Sequence, residues 1–488
     1  MGTQISSLFI DGEFVASSSG ETFETRNPSD GSLIATVARA SAEDVDRAVG
    51  AARRAFDEGP WPAMSPRERS RILVRMGELL AERQADLSEL EARDAGHTLR
   101  MANLFTIPLG IYHWQYLAEA AERLELTQPV PRTDFPAPAW EFVQREPYGV
   151  CAGIIPWNFP FIMAVWKAAP ALATGNTMVL KPSPYTPMEA FVLGEIADAA
   201  ELPPGVLNVV TGDVAAGEHL TTHPDVDMIS FTGSDFVGKK IMSQAAEGLK
   251  KILLELGGKS PNIIFAGADV KKFAVGAAAG FTIHAGQGCA LPTRILADRS
   301  VYDEVVDGMQ AALSKVTVGD PTDKKTMMGP LIREAQRERV ERYVAAGTSE
   351  GARLACGGAR PADVSKGFFF EPTLFADVSS SMSVAQDEIF GPVGVVIPFD
   401  GEDEGIAIAN DSRYGLAASV WHPDPVRAYE IAQEVQAGTV SINGGAGGPH
   451  LWGPFGGYKQ SGIGREYGDY GLLEYTQLKT VAWSAGRP

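Results

Sequence analysis

The chain has 488 residues, of which 45% are hydrophobic, so it can bury a sizeable core and is long enough for roughly two to four domains. Its formal net charge is -19 and its basic residues form no cluster longer than pairs such as Arg53-Arg54, which disfavours nucleic acid as a partner. The 3 cysteines lie far apart without CxxC spacing, and no HExxH pair is present, so neither a disulfide framework nor a metal site is suggested.

The N-terminal residues, MGTQISSLFIDGEF, lack the charged and long apolar regions of a secretory signal, so we expect a cytoplasmic protein. The most apolar stretch, residues 149–175, is long enough to suggest a membrane span, but prolines, Asn158 and Lys167 interrupt it. A buried strand followed by a helix is the better interpretation, and no membrane partner is expected.

An amphipathic helix is predicted over residues 41–56. Ser41 and Asp44 have the spacing of a capping box, and apolar side chains follow on one stripe. Between residues 145 and 258, short β-rich runs alternate with helical stretches. Such alternation is typical of a parallel sheet with helices on its faces, so we expect a doubly wound, nucleotide-binding type of domain there.

A second α/β region is predicted to begin near Gly258. Helices are expected at 302–315 and 331–348, and strands near 393–398 and 438–443.

Two outlying segments, PAWEFVQREPYG and LEYTQLKTVAW, alternate aromatic and other residues without an obvious helix beside them. We expect them to form strands that pair with another subunit, because edge strands left bare invite aggregation.

A phosphate site is one interpretation of DMISFTGSDFVGKKIM, which places a strand, a Gly-Ser turn and a helix in succession. Backbone N–H groups near Gly233 and Ser234 would lie at a helix N-terminus, which attracts anions. The full G-x-G-x-x-G fingerprint is absent, so an ordinary strand-to-helix turn is an equal alternative. Lys181, at a predicted strand end, could reach a ribose or phosphate, although a solvated lysine is the commoner case there.

Cys289 lies on a flexible piece of backbone, after Gly286-Gln287-Gly288 and shortly before Pro292. Such a turn can present a thiol with its own N–H directed at a bound substrate. The alternative is a plain core cysteine, which is the commoner fate of a single thiol.

A nucleophile needs a base, and the sequence nominates Glu255 in LLELGGKSPN. Its leucine neighbours indicate burial, which would raise its pKa towards the value that a general base near neutrality requires. A strand-end acid paired with a lysine is an equal alternative.

Seven motifs resemble the aldehyde dehydrogenase superfamily in order and approximate spacing. They are PWNFP (156–160), KPS with Thr186-Pro187 (181–187), FTGSDFVG (231–238), LELGGKSPN (254–262), GQGC (286–289), EIFGPV (388–393) and PFGGYKQSGIGRE (454–466). The N-terminal FIDGEF and RNPSDG resemble the family's opening as well. The resemblance covers essentially the whole chain, and the joint motif set is highly specific.

The resemblance implies an α/β fold with a Rossmann-like parallel-sheet cofactor domain, an α/β catalytic domain and a small β oligomerisation element. The expected boundaries are 1–124 and 148–257 for the cofactor domain, 258–460 for the catalytic domain, and 125–147 and 461–488 for the oligomerisation strands. Family members usually assemble as dimers or tetramers, so a homodimer or homotetramer is expected.

The resemblance also implies oxidation of an aldehyde to its carboxylic acid with NAD(P)+. Cys289 matches the nucleophile that forms a thiohemiacetal and then a thioester. Asn158 matches the amide that, with the Cys289 N–H, holds the developing oxyanion. Glu255 matches the base that activates water to hydrolyse the thioester.

Nine positions match cofactor contacts of the family. They are Pro156, Trp157, Lys181, Ser183, Gly233, Ser234, Gly257, Glu388 and Phe390. Lys181 and Ser234 match contacts to the adenosine ribose and the pyrophosphate, and Glu388 matches a contact to the nicotinamide ribose with Phe390 beside the ring.

Cofactor preference is less well supported, because Pro184 stands where many NAD-using members have a glutamate that accepts hydrogen bonds from ribose hydroxyls. Asp235, an acid near the phosphate path, disfavours an added 2′-phosphate. NAD is therefore favoured, and NADP stays open.

Six residues are expected to line the aldehyde tunnel. They are Phe159, Met163, Trp166, Leu291, Trp452 and Phe455. Their alternative role is core packing, most of all for Met163. An apolar aromatic tunnel favours an aliphatic, terpenoid or aromatic aldehyde over a charged semialdehyde, which would call for an arginine.

Two rival functions follow from the same resemblance. A CoA-acylating member would pass the thioester to coenzyme A, but such members typically lack the base that Glu255 supplies. A non-catalytic member would keep the fold as a binding or structural protein, which the joint presence of Cys289, Glu255 and Asn158 argues against.

Overall fold

The computed structural model describes residues 3–5, 7–445 and 452–485. Residues 1–2 and 6 of the expected cofactor domain, 446–451 of the expected catalytic domain and 486–488 of the expected oligomerisation segment lie outside the described residues. The domain boundaries themselves stay a prediction.

Strands of five sheets run through the described chain. In chain order they are β1 (Thr3–Ile5), β2 (Ser7–Ile10), β3 (Glu13–Ala16), β4 (Thr22–Arg26), β5 (Leu33–Ala38), β6 (Thr127–Pro129), β7 (Ala139–Pro147), β8 (Val150–Ile154), β9 (Thr177–Lys181), β10 (Leu207–Val209), β11 (Met228–Thr232), β12 (Lys251–Glu255), β13 (Pro261–Ile264), β14 (Arg294–Asp298), β15 (Arg353–Cys356), β16 (Thr373–Ala376), β17 (Val393–Phe399), β18 (Tyr414–Gly415), β19 (Ala417–Trp421), β20 (Thr439–Ile442), β21 (Tyr458–Lys459), β22 (Gly462–Ile463) and β23 (Thr476–Ser484).

Helices connect most of these strands. In chain order they are α1 (Ala42–Asp57), α2 (Pro66–Glu82), α3 (Gln84–Asp94), α4 (Leu99–Met101), a π-helical turn (Ala102–Thr106), α5 (Ile107–Arg123), α6 (Pro160–Ala173), α7 (Met188–Ala199), α8 (Val214–Thr222), α9 (Asp235–Ala246), α10 (Val270–Thr282), a 3₁₀ turn (Ile283–Gly286), α11 (Tyr302–Leu313), α12 (Glu334–Ser349), α13 (Ser383–Gln386), α14 (Glu402–Asn410), α15 (Pro425–Glu434) and α16 (Gly468–Glu474).

An eight-stranded sheet has the order β22-β12-β11-β8-β9-β10-β2-β3, with parallel pairing from β12 to β10 and antiparallel pairing at both margins. Successive residues of a strand point to opposite faces, and both faces of this sheet are buried. On β8, Cys151 packs in a core with α2, α5, α6 and α7, whereas Val150 and Ala152 pack in another core with α1, α8 and α9. The predicted doubly wound arrangement is therefore confirmed.

A seven-stranded sheet, ordered β15-β16-β17-β14-β13-β19-β20, forms the second α/β unit. Its strands pair in parallel except for the antiparallel β15 at one edge. On β14, Leu296 faces a core shared with α12, α14 and α15, and Ile295 faces a core shared with α10 and α11. The predicted helices and strands of this region correspond to α11, α12, β17 and β20, and the predicted α/β fold class is confirmed.

The predicted N-terminal helix and the apolar stretch both form as expected. Helix α1 begins with a capping box in which Ser41 and Asp44 bond each other's backbone N–H. Residues 149–175 form strand β8 and helix α6. Among the described residues, the structure contains no helix of the length and apolar character that crossing a membrane requires.

The two outlying aromatic segments pair with each other within one chain, whereas each was expected to pair with another subunit. Strand β7 pairs antiparallel with β23 of the same chain, with Trp140 opposite Trp483, and β6 adds a third strand. Residues 462–463 join the eight-stranded sheet instead, and LEYTQLKTVAW begins in α16. The antiparallel partner inside the chain satisfies most of the backbone groups that bare edges would expose. Pairing between subunits stays a prediction for the outer edges of β6 and β23.

Candidate active site

Cys289 lies on a sharp turn that follows helix α10. His284 (φ 47°), Ala285 (φ 51°) and Gly286 (φ 74°) are all in the left-handed region, which side chains disfavour. A Cβ at Gly286 would collide with the carbonyl of Gly391, so only glycine fits there. Cys289 follows this turn, is half-buried and precedes strand β14.

The thiol of Cys289 has an electrostatic environment that favours its protonated form. Burial, followed by the carboxylates of Glu255 and Glu388, raises the pKa of Cys289 to about 12. Hydrogen bonds from the backbone N–H groups of Cys289 and Ala290 oppose that rise. The free thiol is therefore protonated near neutral pH and needs a proton acceptor or a nearby positive charge to become a nucleophile.

Asn158 is tied to the same turn by its side chain. The residue follows strand β8, is only 4% exposed, and donates from Nδ2 to the Gln287 carbonyl oxygen over 3.0 Å. Its own carbonyl oxygen accepts a hydrogen bond from His97 Nε2 at 2.7 Å. An amide nitrogen carries two hydrogens, so Asn158 keeps a second donor for another acceptor near Cys289.

Glu255 ends strand β12 and is 3% exposed. Neither of its carboxylate oxygens has a hydrogen-bond partner within the described part of the chain. Burial raises the pKa of Glu255 well above its ordinary value, Glu466 raises it further, and Lys167 opposes the rise. Lys167 and Glu466 themselves form a buried ion pair. A carboxyl group in this setting has the raised pKa of a general base.

The turn for which a phosphate site is predicted leads into helix α9. Ser234 is its N-cap and accepts a hydrogen bond from the Val237 N–H at 3.3 Å. The helix N-terminus is thus built as predicted, with donors and dipole available to an anion. The N–H of Gly233 is already used, because it donates to the Glu255 carbonyl oxygen over 3.0 Å.

Lys181 is 5% exposed at the end of strand β9. Its ammonium donates to the carbonyl oxygens of Gly212, at 2.8 Å, and Pro182, at 3.3 Å. Burial lowers the pKa of Lys181 to about 8. Ser183 is almost buried beside it and accepts from the Tyr185 N–H. This lysine is fixed at the carboxyl end of a parallel strand, where α/β sheets bind ligands.

Glu388 lies against the glycines that follow Glu255. Its Oε1 accepts from the Gly258 N–H over 3.1 Å, and a Cβ at Gly257 would collide with the carboxylate. Burial raises the pKa of Glu388 to about 7. Phe390, in a left-handed conformation with φ 60°, presents its ring edge-on to Trp157 at a centroid distance of 5.3 Å.

A small cavity joins these groups to the Cys289 turn. Its lining includes Gly258, Gly286, Gly288, Leu291, Glu388 and Phe390. Pro156, half-buried, precedes Trp157 in the same loop. Of the sequence-predicted positions, Leu291, Glu388 and Phe390 therefore line one cavity.

Two of the predicted pocket residues join a buried aromatic group. The Trp166 ring lies edge-on to Tyr467 at 4.3 Å and 6.1 Å from the ring of Phe455, and Trp166 Nε1 donates to His113 Nδ1 over 2.7 Å. Met163 is 3% exposed on the same helix, α6.

Sequence reasoning missed His113 and Tyr467. Tyr467 is buried, its hydroxyl has no hydrogen-bond partner in the described structure, and Glu466, Cys289 and Glu255 add to the burial that raises its pKa. Its position directly after the final motif was the available signal. Nothing in the sequence marks His113, which lies on helix α5.

Phe159 and Trp452 have other surroundings. The Phe159 ring packs against the rings of His97 and His284, at centroid distances of 5.2 Å and 5.7 Å. Trp452 is 62% exposed and edge-on to Tyr116. Their predicted contacts with substrate stay predictions.

The sequence of the whole chain matches known proteins. The profile of the aldehyde dehydrogenase family matches residues 14–481. The putative aldehyde dehydrogenase DhaS of Bacillus subtilis (strain 168) is 45% identical over 481 residues, which are 97% of this chain and 94% of that protein. Betaine aldehyde dehydrogenase of the same organism is 41% identical over 480 residues, covering 97% of this chain and 96% of that protein.

Solved structures agree with this assignment. An aldehyde dehydrogenase of Mycobacterium tuberculosis complexed with NAD+ has a TM-score of 0.97 at 43% identity and covers 100% of both chains. The NAD+ complex of a Bacillus cereus aldehyde dehydrogenase has a TM-score of 0.95 at 42% identity and covers 98% of this chain and 96% of that one. The chain belongs to the aldehyde dehydrogenase family of oxidoreductases.

Proposed function

We propose that this protein oxidises an aldehyde to its carboxylic acid with a nicotinamide dinucleotide, through a thiohemiacetal and then a thioester on Cys289. The observation that carries the proposal is a convergence of three distant segments. The Asn158 amide is bonded to Gln287, two residues before the thiol, and Glu255 is close enough to raise the pKa of that thiol. A thiol, an oxyanion donor and a base are the parts that acyl chemistry on cysteine requires.

The predicted cofactor positions also suit a nicotinamide dinucleotide. Helix α9 offers N-terminal donors at Ser234 for a pyrophosphate. Buried Lys181, with only carbonyl partners for its ammonium in the described structure, has donors suited to ribose oxygens. Glu388, approached by the side-chain-free Gly257, is an acceptor for ribose hydroxyls, and Trp157 and Phe390 form an aromatic wall beside it. An oxidised nicotinamide, when bound, supplies a positive charge and accepts a hydride.

The first chemical step is addition of the thiol. Sulfur bonds to the aldehyde carbon while the thiol proton leaves for solvent, so that Glu255 stays free for the last step. The carbonyl oxygen gains negative charge, which the second N–H of the Asn158 amide and the N–H of Cys289 stabilise. Both donors are fixed before reaction, because the amide is held by Gln287 and the N–H belongs to the strained turn.

The last step is hydrolysis of the thioester. Glu255 takes a proton from water, the resulting hydroxide adds to the thioester carbon, and the carbon–sulfur bond breaks to release the acid. The proton then returns to the Cys289 sulfur. Burial raises the pKa of Glu255 well above its ordinary value, which makes this carboxylate a stronger base than an exposed one.

We propose NAD+ as the preferred cofactor and an apolar aliphatic, terpenoid or aromatic aldehyde as substrate. Relatives at 42% and 43% identity were solved as NAD+ complexes, which supports the first choice. The buried rings of Trp166, Phe455 and Tyr467 support the second. A homodimer or homotetramer is supported by Trp140 and Trp483, which are 46% and 51% exposed on the three-stranded sheet.

A panel of aldehydes assayed separately with NAD+ and NADP+ tests the proposal. We expect reduced cofactor and free acid, with apolar aldehydes favoured over charged semialdehydes. Adding coenzyme A should leave the free acid as product, because Glu255 directs the thioester to water. Formation of acyl-CoA would contradict the hydrolytic assignment, and inactivity with both cofactors across the panel would favour a non-catalytic binding protein.

A further inference from the structure

Three rings pack together behind Asn158. The rings of His97 and His284 lie 4.0 Å apart at 62°, and Phe159 is edge-on to both. His97 comes from the loop after helix α3, Phe159 from the start of α6 and His284 from the turn before Cys289. The cluster therefore joins the segment that carries the amide to the segment that carries the thiol.

Hydrogen bonds link the two histidines through Asn158 and Gln287. His97 donates from Nε2 to the Asn158 carbonyl oxygen, since a carbonyl can only accept. The Asn158 amide donates to the Gln287 carbonyl oxygen, and Gln287 Nε2 donates to the His284 carbonyl oxygen over 3.0 Å. Contact between the two imidazole rings completes the circuit. The four hydrogen-bonded residues are all buried, so each contact helps to fix the next.

The two imidazoles make only long polar contacts besides the His97 bond to Asn158. Gln287 Nε2 lies 3.5 Å from His284 Nε2, and Glu91 Oε1 lies 3.8 Å from His97 Nδ1. The Nδ1 atoms of His97 and His284 have no hydrogen-bond partner among the residues that the structure describes. Burying such a nitrogen costs free energy, and an apolar side chain would fill the space without that cost. Burial also lowers the pKa of His97 to about 4, so its ring is neutral at physiological pH and donates through one nitrogen.

We propose that the His97–His284 pair positions the oxyanion donor against the nucleophile. Both histidines are then positioning residues for the oxidation, because they act through Asn158 and the Cys289 turn. This inference rests on the proposed function. Left-handed backbone at His284 and Ala285 persists only where neighbours hold it, and the ring contact is one of the restraints available to do so.

Three variants separate the donor, the ring and the backbone. His97→Leu removes the donor to Asn158, whereas His97→Gln keeps an N–H in its place. His284→Asn removes the ring but retains a residue that tolerates left-handed backbone. We expect kcat to fall about ten- to hundredfold in His97→Leu and His284→Asn, with KM for NAD+ unchanged and His97→Gln recovering most of the loss. His219→Leu, at a half-buried histidine on helix α8 that pairs with Asp46, is the matched control and should keep full activity.

A double-mutant cycle with Asn158→Ala provides the decisive test. Each histidine substitution is measured in the wild type and in Asn158→Ala, using the single-turnover rate of NADH formation at high enzyme concentration. We expect His97→Leu to have no further effect once the amide is absent, because the group that it positions is gone. The His97 hydrogen bond goes to the backbone of residue 158, so the Asn158→Ala background leaves that bond in place.

An equal loss of rate in both backgrounds would overturn the positioning role while leaving the proposed function intact. A wild-type protein that oxidises no aldehyde would overturn the proposed function itself. Thermal unfolding confirms that each variant is folded. If His97→Leu does not fold, the same cycle with His284→Asn decides, and additivity there also overturns the proposal.

Discussion

Two groups of buried carboxylates can be compared in this molecule. Glu255 lies beside the Cys289 thiol, and Glu189 lies at the start of helix α7, close to Glu91 and Asp94 of helix α3. Glu255 is 3% exposed, and its carboxylate oxygens have no hydrogen-bond partner in the described structure; Glu189 is fully buried against Asp94. Burial raises the pKa of both well above the ordinary value. By burial and titration alone, the two glutamates are indistinguishable.

Their neighbours differ. Glu255 interacts with the Cys289 thiol and with the ion pair of Lys167 and Glu466. Around Glu189 lie other acids, and these serve local structure.

Asp94 accepts hydrogen bonds from the Thr25 hydroxyl and from the Met188 N–H at the start of helix α7, and Glu91 accepts from the Thr106 hydroxyl. A raised pKa is therefore a sign of function only where a nucleophile and an oxyanion donor accompany it.

Removing the Cys289 thiol should have the largest effect on activity, because the thiol is the feature that distinguishes the surroundings of Glu255 from those of Glu189. Cys289→Ala is expected to lower the rate of NAD(P)H formation at least about a thousandfold, since no other group can form the covalent adduct. Cys356→Ala, at a half-buried cysteine of strand β15, should retain activity. Steady-state assays and melting temperatures of both variants check this. Retained activity in Cys289→Ala would remove the basis of the mechanism.

Replacing Glu255 or Glu189 by glutamine should separate the catalytic carboxylate from the structural one. Glu255→Gln should give one NADH per active site in a burst, followed by turnover slowed about a hundredfold or more, because water is no longer activated. Glu189→Gln should leave both phases unchanged. Stopped-flow absorbance of the two variants and the wild type measures the burst and the steady rate. A steady rate of Glu255→Gln equal to the wild type would show that the two carboxylates are functionally alike.

The third carboxylate, Glu388, predicts a pH effect on cofactor binding. Burial raises its pKa to about 7, although Lys259 and Arg339 oppose the rise. Below pH 7 it is increasingly protonated and loses acceptor strength for ribose hydroxyls. KM for NAD+ should therefore increase by up to about tenfold at pH 6.

Glu388→Gln, which does not titrate, should show a flat KM over the same range. Initial rates at varied NAD+ concentration from pH 6 to pH 9 measure both profiles. Identical pH dependence in the two proteins would exclude Glu388 as its source.

The smallest expected effect concerns stability. Folding raises the pKa of Glu189. At pH values above the ordinary pKa of a glutamate, the folded protein therefore keeps a proton on this side chain that the unfolded chain has released. The contribution of Glu189 to the free energy of unfolding thus falls as pH rises above about 4.5. Glu189→Gln should be more stable than the wild type by about 1–3 kcal/mol at pH 8 and equal to it near pH 4.5.

Chemical denaturation at the two pH values measures this difference. Glu430→Gln, at an exposed position on helix α15, serves as the control. An equal gain at both pH values would show that the proton on Glu189 is not the cause.

Local patterns predicted the parts of the fold that local interactions build. The Ser41–Asp44 box marked the start of helix α1 because both hydrogen bonds lie within four residues. The alternation of apolar runs gave the doubly wound sheet, since strands buried on both faces need such runs. The seven motifs predicted the aldehyde dehydrogenase family, which the family profile confirmed.

Contacts between distant residues could not be predicted in this way. Lys167 and Glu466 are 299 positions apart, and neither local sequence requires the other. The mutual pairing of strands β7 and β23 is equally remote, so two lone edge strands were expected instead.

The Cys289 turn shows a different limit. Its glycines predicted a flexible turn. Two of its three left-handed residues are nevertheless His284 and Ala285, whose residue types disfavour that conformation.

The central claim is that an acyl group is carried on one sulfur atom until Glu255 activates water. Peptide mass spectrometry of Glu255→Gln, quenched after mixing with an aldehyde and NAD+, tests it most directly. The account predicts that the peptide containing residue 289 gains the mass of the acyl group, in an amount equal to the NADH formed in the burst. NADH formed without any such adduct, or an adduct at Cys151 or Cys356, would contradict the account.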